Sequence, residues 1–187
     1  MKVNETFLSL QGEGHFTGTP AFFLRLSGCN LQCPFCDTQH HSFTEMSEEE
    51  IVREACRHKP RHIVITGGEP ALQLTQSLVD KLHGAGFFIQ VETNGTLPLP
   101  DGIDWVTCSP KGSPILKCVD ELKMLYQGKD TNLSIAEQIV ATEYRLQPLD
   151  TFDEMHNRII LRDTIAYILQ HPKWSLSLQT HKLLDIK

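Results

Sequence analysis

Four times in this chain a short apolar run ends in a polar turn marked by glycine or proline. Ala21–Leu26 leads into Ser27-Gly28-Cys29, and Ile63-Val64-Ile65 into Thr66-Gly67-Gly68-Glu69-Pro70. Gln90-Val91-Glu92 leads into Thr93-Asn94-Gly95, and Val106-Thr107-Cys108 into Ser109-Pro110-Lys111. Short β-branched runs closed by turn residues read as buried strands. Helical patterns alternate with them: Ser47–Arg57, opened by a capping-box sequence, then Ala71–His83 and, later, Phe152–Gln170. Strand and helix in alternation argue for a mostly parallel sheet. The polar residues just past the strands' carboxyl ends then gather on one edge of that sheet, where such folds carry their chemistry. Further strands are expected at Thr6–Leu10, Glu121–Met124, Arg145–Gln147 and Ser175–Leu178. At 187 residues the chain suits one domain, 1–187, and is short for an eight-unit barrel of about 250 residues. The expected fold is therefore α/β, a partial, trimmed barrel with few helices.

The first turn carries Cys29, Cys33 and Cys36 in a C-x3-C-x2-C run. Three thiolates are an informative number, because a structural zinc site closes its shell with four protein ligands. Soft thiolates select zinc or iron–sulfur clusters. A four-iron cluster held by three cysteines keeps one iron open to a further ligand. Zinc with His40 or His41 as a fourth ligand, or a disulfide framework, are the alternatives that the cysteines alone leave standing.

The remaining turns bear on that choice. Gly67 and Gly68 permit close backbone approach to a ligand, and Glu69 is expected to project a carboxylate where an ammonium could be held. Pro70 would also simply open a helix. Asn94-Gly95 is a common turn pair, and Lys111 alone is an ordinary surface lysine. Together with the cysteine loop, the Gly-Gly-Glu-Pro and Ser-Pro-Lys turns resemble those of radical S-adenosylmethionine (radical SAM) enzymes. That resemblance implies a 4Fe-4S cluster on Cys29, Cys33 and Cys36, with S-adenosylmethionine chelated to the free iron. It assigns Phe35, Asp37, Gly68, Glu69, Glu92, Ser109, Pro110 and Lys111 to the cofactor.

Two terminal segments narrow the resemblance. Asn4-Glu5-Thr6-Phe7-Leu8-Ser9-Leu10-Gln11-Gly12-Glu13-Gly14, and Trp174-Ser175-Leu176-Ser177-Leu178-Gln179-Thr180-His181-Lys182, are similar to those of the 7-carboxy-7-deazaguanine synthase family, as is Cys36-Asp37-Thr38. The resemblance places Leu10, Gln11, Gly12, Arg25, Thr66 and Gln147 against a pterin substrate. Arg25 would pair with its carboxylate, a suitable bidentate clamp, although it also fits the outward face of an edge strand. Thr38 would bind Mg2+, which takes oxygen ligands. The implied reaction converts 6-carboxy-5,6,7,8-tetrahydropterin to 7-carboxy-7-deazaguanine with loss of ammonia, in 7-deazapurine (queuosine) biosynthesis. The reduced cluster would cleave the cofactor's sulfur–carbon bond, and the resulting 5′-deoxyadenosyl radical would take a hydrogen atom from the substrate. No residue is assigned as a general acid or base. An activase that installs a glycyl radical on a partner protein, and a non-enzymatic zinc or iron–sulfur module, are the rival functions.

The formal charge of −6 argues against a nucleic-acid partner. There is no apolar run of membrane length and no signal-peptide pattern, so a cytoplasmic protein without a membrane partner is expected. Cys56, Cys108 and Cys118 read as small core residues, and His15, His40 and His41 as surface histidines. An electron-donor protein such as flavodoxin or ferredoxin, and a second copy of the chain in a homodimer, complete the implied partners.

Overall fold

A computed structural model of the chain describes residues 1–34, 36, 38, 42–129 and 131–187. The readings made on Phe35, Asp37, His40 and His41 lie outside the described residues. Among the described residues nine strands form one sheet: β1 (Lys2–Leu10), β2 (Pro20–Leu26), β3 (Thr44–Glu45), β4 (His62–Gly67), β5 (Phe88–Thr93), β6 (Trp105–Cys108), β7 (Cys118–Tyr126), β8 (Val140–Pro148) and β9 (Ser175–Leu176). Their spatial order is β3-β1-β2-β4-β5-β6-β7-β8-β9. β1 runs antiparallel to both β2 and β3, and every pairing from β2 to β9 is parallel. The sheet stays open, with β3 and β9 as its edges.

Helices α1 (Glu48–Cys56), α2 (Gln76–Gly84) and α3 (Glu154–Gln170) cover one face, and α4 (Thr180–Leu184) follows β9. One apolar layer joins Phe22, Leu24, Leu26, Ile63, Ile65, Ile89 and Val91 of the sheet to Ile51 and Ala55 of α1 and to Leu78 and Leu82 of α2. A second joins Leu122, Met124, Tyr126 and Leu146 to Trp174 and the inner face of α3. The capping box that opens α1 is complete: Glu50 N–H donates to Ser47 Oγ at 3.2 Å, and Ser47 N–H to the Glu50 carboxylate at 2.8 Å.

The expected helix over Ala71–His83 is two pieces. A single 3-10 turn (Pro70–Leu72) stops at Gln73, whose side chain is drawn away to the backbone of Lys2 and Ser27. α2 then starts afresh, because the Thr75 hydroxyl caps Leu78 N–H at 3.1 Å. β1, β7 and β8 are longer than their patterns indicated, and β3 and α4 carried too little pattern to be read. Cys108 is buried as expected, whereas Cys56 and Cys118 are exposed. His15 is exposed, as expected, with its ring stacked on Trp105 at 4.5 Å. Phe16 beside it packs edge-on against His62, Phe88 and Trp105, so the β1–β2 loop plugs the amino-terminal mouth of the curved sheet. No helix among the described residues is long and apolar enough to cross a membrane.

Candidate active site

Because side chains alternate across a strand, the residues that skip the helix-covered face point to the other one: Phe23 and Arg25 on β2, Val64 and Thr66 on β4, Gln90 and Glu92 on β5, Lys123 and Leu125 on β7, Gln147 on β8. Together with the turns beyond the strand ends these residues, Gln90 excepted, line a cavity of about 760 Å³. Leu10, Gln11, Gly12, Arg25, Thr66 and Gln147 line it, as do Cys29, Cys33, Cys36, Thr38, Gly68, Glu92, Ser109 and Lys111. Residues expected to touch a substrate and residues expected to touch a cofactor thus share one space. Arg25 sits on an internal strand, in register between Glu5 of β1 and Thr66 of β4, so it is a cavity residue rather than an edge one.

The glycine pair earns its place sterically. A Cβ on Gly68 would stand 2.0 Å from Gly28 O and 3.0 Å from Cys29 Cβ. Gly68 N–H donates to Leu26 O, and Glu69 N–H to Gly28 O at 2.9 Å, so the turn lies flat against the root of the cysteine loop. Asn94 Nδ2 donates to Asn30 Oδ1 at 3.0 Å, fastening the β5 turn to the same loop.

Two expectations are corrected here. Glu69 does not project into the cavity. It is 0 % exposed, and its carboxylate accepts from Thr93 Oγ1 (2.7 Å), Asn94 N–H (2.7 Å) and Ala71 N–H (3.0 Å). It clasps the β4 and β5 turns together. Pro110 also lies off the cavity, on a smaller neighbouring cleft with Met124 and Leu149.

The cysteine loop fits an iron–sulfur cluster by its donors. All three cysteines line the cavity. Leu31 N–H donates to Cys29 Sγ at 3.4 Å, and a turn closed by Cys36 N–H to Cys33 O at 3.1 Å spaces the other two. Burial pushes the Cys33 thiol up, while the Lys111 ammonium pulls it the other way. Lys111 is itself pushed down to about 8, by burial first and by Lys123 second. Among the described residues, no three His, Cys, Asp or Glu side chains converge on a point that one ion would fill. A cubane needs something different, one thiolate at each of three corners.

The cavity floor was not foreseen. Lys123, only 4 % exposed, donates to Glu13 Oε2 at 2.5 Å and Glu92 Oε2 at 3.0 Å. Glu92 Oε1 also accepts from Gln90 (3.0 Å) and Gln11 (3.3 Å), and Glu13 Oε1 from Gln179 (2.9 Å). Glu92 is thus bonded to Gln11, Gln90 and Lys123 rather than to the strand-end turns. Burial raises the Glu92 carboxyl even with Lys123 beside it. Burial works the same way on Glu13, but there Lys123 prevails and holds the group down at about 2. The far wall is the chain's last stretch: Thr180 N–H donates to Gly12 O, Gly14 N–H to Ser177 Oγ, and Lys187 reaches Glu5 at 2.7 Å.

A three-cysteine loop and a glycine turn at the carboxyl ends of a parallel sheet define the radical SAM class, and the model of the radical SAM superfamily matches residues 24–113. The 7-carboxy-7-deazaguanine synthase of Bacteroides thetaiotaomicron is 50% identical over 188 residues, covering 100% of this chain and 98% of that protein. The synthase of Synechocystis is 39% identical, over 99% of this chain and 93% of its own. The crystal structure of QueE from Escherichia coli superposes with a TM-score of 0.73 at 30% identity, over 95% of this chain and 92% of that one. The chain belongs to the 7-carboxy-7-deazaguanine synthase family of radical SAM enzymes. Its cofactors are accordingly S-adenosylmethionine and a 4Fe-4S cluster. The rival readings, a glycyl-radical activase and a zinc module, fall with that membership.

Proposed function

We propose that this single domain, 1–187, converts 6-carboxy-5,6,7,8-tetrahydropterin to 7-carboxy-7-deazaguanine with release of ammonia. The observation that carries this reading is the polarity of the cavity. It has thiols and a glycine turn at its rim, an arginine on one wall, and a buried acceptor-rich floor. Cys29, Cys33 and Cys36 would hold the cluster, with Gly68, Ser109 and Lys111 beside the bound cofactor. When bound, cluster and cofactor supply one-electron chemistry that removes a hydrogen atom from an unactivated carbon.

Arg25 orients the substrate through its carboxylate. Arg25 Nη1 stands 3.4 Å from Thr38 Oγ1, which favours Thr38 as a ligand of Mg2+ beside that carboxylate. The ion would neutralise the carboxylate and fix its direction. Gln11, Thr66 and Gln147 supply hydrogen bonds around the base, and Phe7 and Phe23, stacked at 4.8 Å, give an apolar wall that excludes water. A cytoplasmic enzyme served by a flavodoxin- or ferredoxin-like donor suits its need for reducing electrons. A homodimer is supported by α3, which is apolar on both sides: Met155 (77 % exposed), Ile159 and Leu169 form an outer stripe opposite the packed one.

The test is product analysis by mass spectrometry. Anaerobically reconstituted protein is given reductant, S-adenosylmethionine, Mg2+ and the carboxytetrahydropterin. Formation of 7-carboxy-7-deazaguanine is expected. Slow 5′-deoxyadenosine production, indifferent to the pterin, would refute the substrate.

A further inference from the structure

Asn30 follows the first cysteine of the loop, and an amide is not the soft ligand that an iron–sulfur cluster selects. Its side chain is nonetheless fully engaged. Asn30 Nδ2 donates to Thr96 Oγ1 at 2.8 Å, Thr96 Oγ1 donates to Asn94 Oδ1 at 2.6 Å, and Asn94 Nδ2 donates back to Asn30 Oδ1 at 3.0 Å. These three bonds close a ring in which each side chain donates once and accepts once, all in one sense. In such a ring each bond polarises the next.

Two members of the ring stand on a fixed platform. Asn94 N–H donates to the buried Glu69 carboxylate at 2.7 Å, and Gly95 O accepts from Ile115 N–H at 2.8 Å. Between them Gly95 lies against Cys108, whose Sγ a Cβ there would meet at 2.6 Å. Thr96 N–H also donates to Asn94 Oδ1 at 2.9 Å, so the amide is aimed by its own turn. The third member, Asn30, is exposed and comes from 64 residues earlier in the chain. An exposed asparagine buries no apolar surface, and holding it costs rotamer entropy. The ring therefore does little for the core; what it fixes is the peptide that follows Cys29. On the other flank of Cys29, Gly28 O accepts from Glu69 N–H at 2.9 Å. Cys29 is thus held from both sides, and both holds lead back to Glu69.

We infer that Asn30 and Thr96 are positioning residues for the iron–sulfur cluster, forming with Asn94 a bracket that sets Cys29 in place before any cluster is bound. Cys29 is then the preset ligand of the three. Without the bracket, this part of the loop must be ordered at the moment of cluster binding, and the cluster is held less firmly. The inference rests on the assignment of Cys29, Cys33 and Cys36 as cluster ligands and goes beyond the substrate reading.

The experiment follows iron release from anaerobically reconstituted protein to a chelator, well below the melting temperature. Thr96→Val keeps the side chain's shape, removes the hydroxyl, and should release iron about two- to tenfold faster, the worth of one hydrogen bond. Asn30→Ala should do the same and, lying at an exposed position, carries the test if valine at 96 unfolds the chain. The double variant should release iron no faster than the faster single, because the ring is broken once. Thr96→Ser retains the hydroxyl and should hold the wild-type rate. Wild-type release in folded Thr96→Val and Asn30→Ala would overturn the inference. So would effects that add in the double variant, the sign of two separate contacts, or a serine variant as fast as the valine one. Thermal unfolding of the cluster-free proteins is read alongside: a lower melting temperature with unchanged release would assign the ring to general stability and overturn the inference. If Cys29→Ala loses its cluster while the bracket variants retain theirs as the wild type does, the inference fails alone. If the wild type takes up no iron and sulfide, the cluster assignment fails and the inference with it.

Discussion

Replacing Glu69 by glutamine separates a ligand-holding carboxylate from an internal clasp. In the structure Glu69 Oε1 accepts from Thr93 Oγ1 and Ala71 N–H, and Oε2 accepts from Asn94 N–H. An amide can keep one of these faces but not both. If its oxygen replaces Oε1, its NH2 group confronts Asn94 N–H, and a buried donor is left unpaired at a cost of about 1–3 kcal/mol. The two remaining bonds lose their charge assistance as well. Together the loss is about 2–4 kcal/mol. At this chain length it lowers the melting temperature by about 5–15 °C. The assay is guanidinium and thermal unfolding of cluster-free Glu69→Gln protein with no cofactor present, followed by circular dichroism. A carboxylate that served only a ligand would leave this stability unchanged, so a difference below about 0.5 kcal/mol would refute the clasp.

Other substitutions test neighbouring parts. Gly68→Ala drives a Cβ into Gly28 O and the base of Cys29. The turn must lift off the cysteine loop, with a loss of about 1–3 kcal/mol and weaker S-adenosylmethionine binding by titration; wild-type values for both would contradict the contact. Cys29→Ala, Cys33→Ala and Cys36→Ala should each abolish turnover and lower iron and sulfide content after reconstitution, and full activity in any of them would remove the cluster assignment. On the helix face, Glu48 accepts from Lys81, Ser77 and Thr75 and is held at about 2, below its ordinary 4.5, by the Lys81 hydrogen bond first. Its contribution is therefore present above about pH 4.5 and is lost as pH falls toward 2. Lys81→Met should flatten this part of the acid-unfolding curve, and an unaltered curve would show that the pair does not couple α1 to α2.

The strand-end turns were legible because glycine, proline and cysteine leave local marks that survive without tertiary context. The cavity floor was not, and β7 shows why. Glu121-Leu122-Lys123-Met124 alternates as any half-exposed strand does. A period of two states that the faces differ but not that the polar face is enclosed. Enclosure comes from the curl of the sheet and from Glu13, far away in sequence, so nothing next to Lys123 in the chain marks it as buried. Glu69 failed for the reverse reason: its neighbours in sequence suggested a ligand, but its partners Thr93 and Asn94 arrive from another strand. Gln73 misled in the same way, ending a helix by bonding to β1 and to the segment after β2.

The lacing of the β1–β2 loop to residues 177–187 has a consequence for biosynthesis. Gly12 and Thr180 meet across a sequence separation of 168 residues, Glu13 and Gln179 across 166. A growing chain makes its cysteine loop well before this cavity wall. Until β9 and α4 emerge, the cavity that the three cysteines line lacks the wall formed by Gln179, His181 and Lys182. Contacts of such long range also form slowly. Completing the wall then comes after the cysteine loop has formed, because its residues 177–187 follow that loop by about 140 positions and meet the β1–β2 loop across the whole fold.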